Sequence, residues 1–132
     1  MRHLELFAGI GGFRRAMDLL TQDHIMDFHC IGYSEIDAKA VKTYCANYHP
    51  EVDGELAMGD IVEFTSNKNN MDNLPQFDLV TGGFPCQTFS MMGKQAGFNE
   101  YRGQMFFHII DILAAKMPRY VLLENVKNLK SH

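Results

Sequence analysis

Two periods of apolar and polar residues alternate along this chain. "HLELF" (His3 to Phe7) reads as a short strand ending at a glycine turn, and "FRRAMDLL" then places Phe13, Ala16, Met17 and Leu20 on one face at helical spacing. "DFHCIGYSE" reads as a second strand, after which Asp37 caps a helix whose buried stripe is Val41, Tyr44, Cys45 and Tyr48, ending before Pro50. "ELAMGDI" predicts a third, weaker strand, "QFDLVTGG" a fourth and "RYVLLEN" a fifth. Between the last two, "GQMFFHIIDILAAKM" predicts a helix with Phe106, Ile109, Ile110, Leu113 and Met117 on one face, stopped by Pro118. The polar interval "TSNKNNMDN", Thr65 to Asn73, reads as a surface connection.

Strands that alternate with helices imply parallel strands joined by right-handed crossovers. The expected fold class is therefore α/β: a Rossmann-like, doubly wound, mostly parallel sheet with helices on both faces. Ligands of such sheets sit beyond the carboxyl ends of the strands, and the unusual residues of this chain cluster there. At 132 residues the chain is one domain at most.

Composition removes some function classes. The apolar share is 46% and the charged share 21%, with no apolar run near the roughly 20 residues needed to cross a bilayer. "MRHLELFAGIGGFRRAM" interrupts its apolar run with glycines and arginines, unlike a signal peptide, so a cytoplasmic protein without a membrane partner is expected. Cys30, Cys45 and Cys86 are odd in number and show no C-x-x-C spacing, which suggests neither a disulfide framework nor a metal site. A net charge of −4 leaves no basic footprint, so any nucleic-acid reading must come from chemistry.

The loop "FAGIGG" (Phe7, Ala8, Gly9, Ile10, Gly11, Gly12) joins the first strand to the first helix. Its glycines permit a tight turn and let a ligand approach main-chain N–H groups at a helix N-terminus. A P-loop would need Gly-Lys-Ser/Thr where Phe13 and Arg14 follow Gly12, and the dinucleotide fingerprint would need a third glycine at Arg14. Phosphate binding is thereby disfavoured; a tight turn alone is the plainer alternative.

Glu35, about 20 positions further at the end of the second strand, suits ribose hydroxyls, although without the glycines it would read as an exposed or capping carboxylate. Asp60 in "MGDI" adds an acceptor for an adenine amino group, or is a turn residue. A glycine loop and two acids without a phosphate cradle point to a phosphate-free adenosine ligand, for which S-adenosylmethionine is the obvious candidate.

In "GGFPCQTFS", Cys86 follows Pro85 and the Gly82-Gly83 pair at the end of a buried strand. The proline fixes backbone geometry and the glycines allow close approach, so the thiol is expected to project from a rigid loop into the cleft; a thiol becomes a nucleophile where positive charge or backbone N–H groups stabilise its thiolate. Cys45, on a helical stripe, and Cys30, within a strand, read as packing residues. "LLENV" delivers Glu124 and Asn125 to the same edge behind apolar residues, a setting that suits a proton donor; a helix-capping pair is the alternative.

Taken together, "ELFAGIGGFR", "YSEID", "GDI", "GGFPCQTFS", "KQAGFNEYRGQMFF" and "LLENVKNL" closely resemble the amino-terminal part of the DNA (cytosine-5)-methyltransferases, in the family's order and over nearly the whole chain. "FPCQ" with "ENV" at this separation is very specific; "GDI" alone is not. The resemblance implies that Phe7 to Gly12 enclose S-adenosylmethionine and that Glu35 binds its ribose. Ile36 would pack on adenine, Asp60 and Ile61 would complete that site, and Gly83, Pro85 and Met105 would line the methionine end.

It further implies Cys86 as the nucleophile, Glu124 as the acid group at the base and Asn125 as a support for the "PCQ" loop, with Gln87, Ser90 and Lys94 on the nucleic-acid side. S-adenosylhomocysteine would be the product and DNA the partner, in a restriction-modification setting or outside one.

The sequence also departs from the family. Nothing corresponds to its later arginine-containing motif, target-recognition domain or closing carboxyl-terminal segment, so residues 1–132 are expected to be the amino-terminal part of a catalytic domain. The chain is then a fragment or one half of a split enzyme with a complementary chain, inactive alone. Three rivals are a tRNA cytosine-5 methyltransferase, which commonly has a second proline where Phe84 stands, a non-catalytic adenosine-binding module, and a dinucleotide oxidoreductase.

Overall fold

The computed structural model describes residues 1–84 and 103–125. Five strands, β1 (Arg2–Leu6), β2 (His29–Ser34), β3 (Leu56–Gly59), β4 (Leu79–Gly83) and β5 (Tyr120–Glu124), form one sheet in the order β3-β2-β1-β4-β5. Every pairing is parallel. The order reverses between β1 and β4, where a ligand crevice opens at the carboxyl ends of such a sheet. The expected α/β architecture is the one observed.

Side chains alternate across a strand, and the two faces of this sheet differ in character. On one, Leu4, Leu6 and Val80 are fully buried among Ile61 and Phe64 of α4 (Ile61–Ser66) and Ile109 and Ile112 of α6 (Gly103–Lys116). The other face carries His3, Glu5 and Thr81, also fully buried, on the side of α1 (Gly12–Gln22) and α2 (Ala38–Tyr48). His3 Nε2 lies 2.7 Å from Thr81 Oγ1. Tyr33 stacks on Tyr44 with ring centroids 4.2 Å apart, and Cys45 and Tyr48 pack against that pair.

The α2 cap and end are as expected, the Asp37 side chain accepting the Lys39 and Ala40 N–H groups and the helix ending before the short α3 (Pro50–Asp53); of its expected stripe Tyr44 is buried, and Val41, Cys45 and Tyr48 are half-buried. Three expectations need correction. In α1 the buried pair is Arg14 and Met17, while Ala16 is exposed. In α6 the buried stripe is Met105, Ile109 and Ile112, whereas Phe106, Ile110 and Met117 are exposed. The register is rotated because the sheet, rather than apolar spacing alone, selects which side of a nearly all-apolar helix is covered. Residues 65–73, expected as an irregular connection, include the end of α4 and all of α5 (Lys68–Asn73). Asn67 starts α5 by accepting the Asn69 and Asn70 N–H groups. Among the described residues no helix is long and apolar enough to cross a membrane.

Candidate functional site

The loop after β1 is held in an uncommon backbone shape. Phe7 (φ 51), Gly9 (φ 58) and Gly11 (φ 94) all lie in the left-handed region, which a bulky residue such as Phe7 occupies only when its surroundings impose it. Here β2 imposes it: the Phe7 N–H donates to Ser34 Oγ at 3.1 Å and the Ala8 N–H to the Ser34 carbonyl at 2.8 Å.

Glu35, directly after β2, continues the seam. Its Oε1 accepts the Gly9 N–H at 2.7 Å, and its Oε2 accepts the Ile36 and Asp37 N–H groups at 3.0 and 2.9 Å. A carboxylate offers about four acceptor positions, so one is left for a ligand hydroxyl. An added Cβ on Gly9, Gly12 or Gly59 would meet nothing within 4 Å; the loop turns bare backbone toward open space. Ile10 and Ile36 are 62% and 71% exposed beside it. Bare glycines, a carboxylate with spare capacity and exposed apolar side chains fit an adenosine-bearing ligand.

Asp60 Oδ1 caps α4 by accepting the Val62 N–H at 2.9 Å, and its other oxygen takes no part in that bond. The Ile61 side chain is in the core rather than at the loop, as is that of Met105.

At the carboxyl ends of β4 and β5, Gly83 is in register with Glu124. A Cβ on Gly83 would lie 2.9 Å from Glu124 Oε2, so only glycine leaves the carboxylate where it is. Asn125 Nδ2 donates to the Phe84 carbonyl at 3.2 Å, fixing the last described residue before Pro85. Glu124 is exposed and Tyr120, Val121 and Leu122 are each about half exposed; the apolar enclosure expected for Glu124 is not formed by the described residues. Pro85, Cys86, Gln87, Ser90 and Lys94 lie outside the described residues.

Beneath the glycine loop is a buried ionic cluster that the sequence reading missed. Arg14 Nη1 contacts Glu55 Oε2 at 2.5 Å and Tyr44 Oη at 3.1 Å, and its Nε donates to Asp18 at 3.2 Å. The Tyr44 hydroxyl donates to Glu55 Oε1, which also accepts from Cys30 Sγ at 3.1 Å. Burial alone would lower the Arg14 pKa, but the Glu55 hydrogen bond and the electrostatic attraction of Cys30, Glu55 and Tyr44 together outweigh it, so the guanidinium stays charged. Burial pushes the Cys30 thiol up, which keeps it an inert hydrogen-bond donor.

Glu5 Oε1 accepts the Arg14 N–H at 3.3 Å, and burial raises this carboxyl to about 7 against partial opposition from Arg14. Burial, with help from Arg14, lowers His3 to about 4. The signal for Arg14 was present in its phase: it stands three residues before Met17, on the helix's inner face.

This sheet order, with a glycine loop at the reversal and an acid closing β2, is that of a Rossmann-like domain, the fold class to which S-adenosylmethionine-dependent methyltransferases belong. In keeping with that class, the structure resembles a DNMT2 of Spodoptera frugiperda at 28% identity and a TM-score of 0.63, covering 99% of this chain and 37% of that one. A likeness to TrmN from Thermus thermophilus, at 14% identity and a TM-score of 0.51, concerns the fold alone.

The family model for C-5 cytosine-specific DNA methylases matches residues 1–132, and the chain belongs to that family. Among its relatives are the orphan methyltransferase M.Rho11sI of Bacillus phage rho11s, 42% identical over 132 residues, and the type II methyltransferase M.HpaII of Haemophilus parainfluenzae, 43% identical over 129. All or nearly all of this chain aligns with each (100% and 98%), but it spans only 24% and 32% of their lengths.

Proposed function

We propose that this chain supplies the cofactor-binding and nucleophile-bearing part of an enzyme that methylates C5 of cytosine in DNA. It would act as the amino-terminal part of a longer catalytic domain or together with a complementary chain. One observation carries the reading. The glycine loop after β1, the segment entered through Phe84 after β4, and Glu124 at the end of β5 leave three adjacent strands at one edge of the sheet. A donor and an acceptor of a methyl group held at that edge would lie side by side.

Glu35 and the bare face of Gly9 and Gly12 would hold S-adenosylmethionine, with Ile36 against its adenine and Asp60 near the adenine amino group. When bound, this cofactor supplies a methyl group activated on sulfonium sulfur. The chain's own residues would prepare the acceptor.

Cytosine C5 is a weak nucleophile, and the Cys86 thiolate adding to C6 pushes electron density onto it. Glu124 would hydrogen-bond ring N3 and the exocyclic amine, offsetting the charge that develops on addition. Asn125, through the Phe84 carbonyl, would keep the loop that carries Cys86 in place. Once C5 is substituted, a base removes the C5 proton and the thiolate leaves C6, restoring the aromatic ring. Both ring carbons are shielded in a stacked duplex, so the base would be extruded into the site.

The test is trapping with duplex DNA containing 5-fluorocytosine at the target position, since fluorine blocks the final proton removal. The complete enzyme is expected to form a protein–DNA adduct attached at Cys86, and Cys86→Ser none. Methylation without such an adduct would overturn the mechanism, and transfer to tRNA in preference to DNA would overturn the substrate. Methyl transfer by the 132-residue chain alone would overturn the need for further sequence.

A further inference from the structure

Left-handed geometry at Gly11 is held from below by a tyrosine of α2. The Gly11 carbonyl accepts two hydrogen bonds, from the Arg15 N–H at 2.8 Å and from the Tyr48 hydroxyl at 2.9 Å, across 37 residues of sequence. The Tyr48 ring fills the space under the glycine. A Cβ at Gly11 would lie 2.3 Å from Tyr48 Cε2 and 3.1 Å from Tyr44 Cδ2. Tyr48 is itself braced, with Tyr44 at 4.9 Å between ring centroids and the Arg14 guanidinium 5.0 Å above its ring. Arg14 in turn is fixed by Glu55, Tyr44 and Asp18.

Gly11 is the N-cap of α1 and has no side chain with which to cap it. Its conformation sets where the first-turn N–H groups of α1 and the bare faces of Gly9 and Gly12 are aimed. A glycine has no steric preference for one sign of φ, so an external contact must select it. The Tyr48 hydroxyl is placed to do so while standing on the side of the loop away from the open face.

We propose that Tyr48 is a positioning residue for the methyl donor, acting through Gly11 rather than by touching the ligand. The inference rests on the reading that the glycine loop binds S-adenosylmethionine. Its chemistry is one hydrogen bond and one ring contact that hold the loop in its ligand-ready form before binding, so the ordering cost is not met at the moment of association.

Tyr48→Phe keeps the ring, its contact with Arg14 and the filled space under Gly11, and removes only the hydroxyl. In the ligand-free 132-residue chain, amide hydrogen exchange across residues 8–12 is expected to accelerate on the order of fivefold, as for loss of one net hydrogen bond. S-adenosylmethionine binding by calorimetry should weaken by a similar factor. In the complete enzyme the KM for the methyl donor should rise while kcat and the KM for DNA stay as they are, a split that general destabilisation would not give.

Wild-type exchange together with wild-type affinity in Tyr48→Phe would overturn the proposal. If the unsubstituted chain and the complete enzyme both fail to bind S-adenosylmethionine, the cofactor reading falls and this proposal with it, even where the exchange difference persists. As a second variant, Tyr48→Ala should accelerate exchange further, and slower exchange there than in Tyr48→Phe would also count against it.

Discussion

Gly83 and Glu124 stand in register at the ends of neighbouring parallel strands, and the absence of a side chain on the first leaves the carboxylate of the second its place. A Cβ at Gly83 would come within 2.9 Å of Glu124 Oε2. That oxygen is the far end of a flexible side chain, so Glu124 would swing aside and the strand would not move. Gly83→Ala is expected to leave the thermal midpoint within about 2 °C of wild type while slowing adduct formation with 5-fluorocytosine DNA by about tenfold or more in the complete enzyme. An unchanged adduct rate would show that Glu124 is not needed where it stands.

The Arg14–Glu55 pair is buried, and removing the cation leaves a carboxylate without its main partner. Arg14→Met should cost about 3 kcal/mol in urea denaturation. Adding Glu55→Gln to that variant should recover part of the loss, because the neutral amide no longer needs a counter-charge. Simple additivity of the two substitutions would contradict a coupled pair.

Glu5 and His3, on one face of β1, give opposing pH slopes. Burial raises Glu5 from 4.5 to about 7, so between those values the folded state holds the extra proton, and stability falls as pH rises through that window. His3 is lowered from 6.5 to about 4, so there the unfolded chain holds the extra proton, and stability falls as pH drops through that window. From 4.5 to 6.5 the two slopes oppose each other. Glu5→Gln should uncover the His3 slope, with stability rising toward pH 6.5 by up to about 1.4 kcal/mol per pH unit. Denaturation series at several pH values read this directly, and an unchanged profile would refute it.

The rotated register of α6 predicts different responses at adjacent positions. Ile109 is fully buried and Ile110 is 39% exposed. Ile109→Ala should cost about 3 kcal/mol, whereas Ile110→Ser should stay within about 0.5 kcal/mol. Equal costs would restore the face expected from spacing alone.

Much of the architecture was legible because strand and helix periods differ and their boundaries carry chemical marks. Asp37 before α2, Pro50 after it and the glycines after β1 each fixed an element end by a local mechanism. What failed depends on tertiary choice. The helix containing Phe106, Ile109 and Ile110 is apolar nearly all round, so its sequence does not say which side meets the sheet. Residues 65–73 are polar because their helices are short and exposed, and polarity alone reads as a loop. Of the candidate site, the meeting of Glu35 with the glycine loop was readable from their order and spacing. Arg14 and Glu55 were not, since a charged pair 41 residues apart in sequence looks like two surface residues until packing brings them together.

Of the five described strands, β1 comes first along the chain and lies in the middle of the sheet. Its flank toward β2 can close once residues 29–34 have emerged, but the other waits for Leu79–Gly83. Throughout that interval a growing polypeptide carries an open parallel edge, the kind of surface that captures stray strands. Slow translation across the intervening codons is therefore expected to lower the soluble yield, and fast translation to raise it.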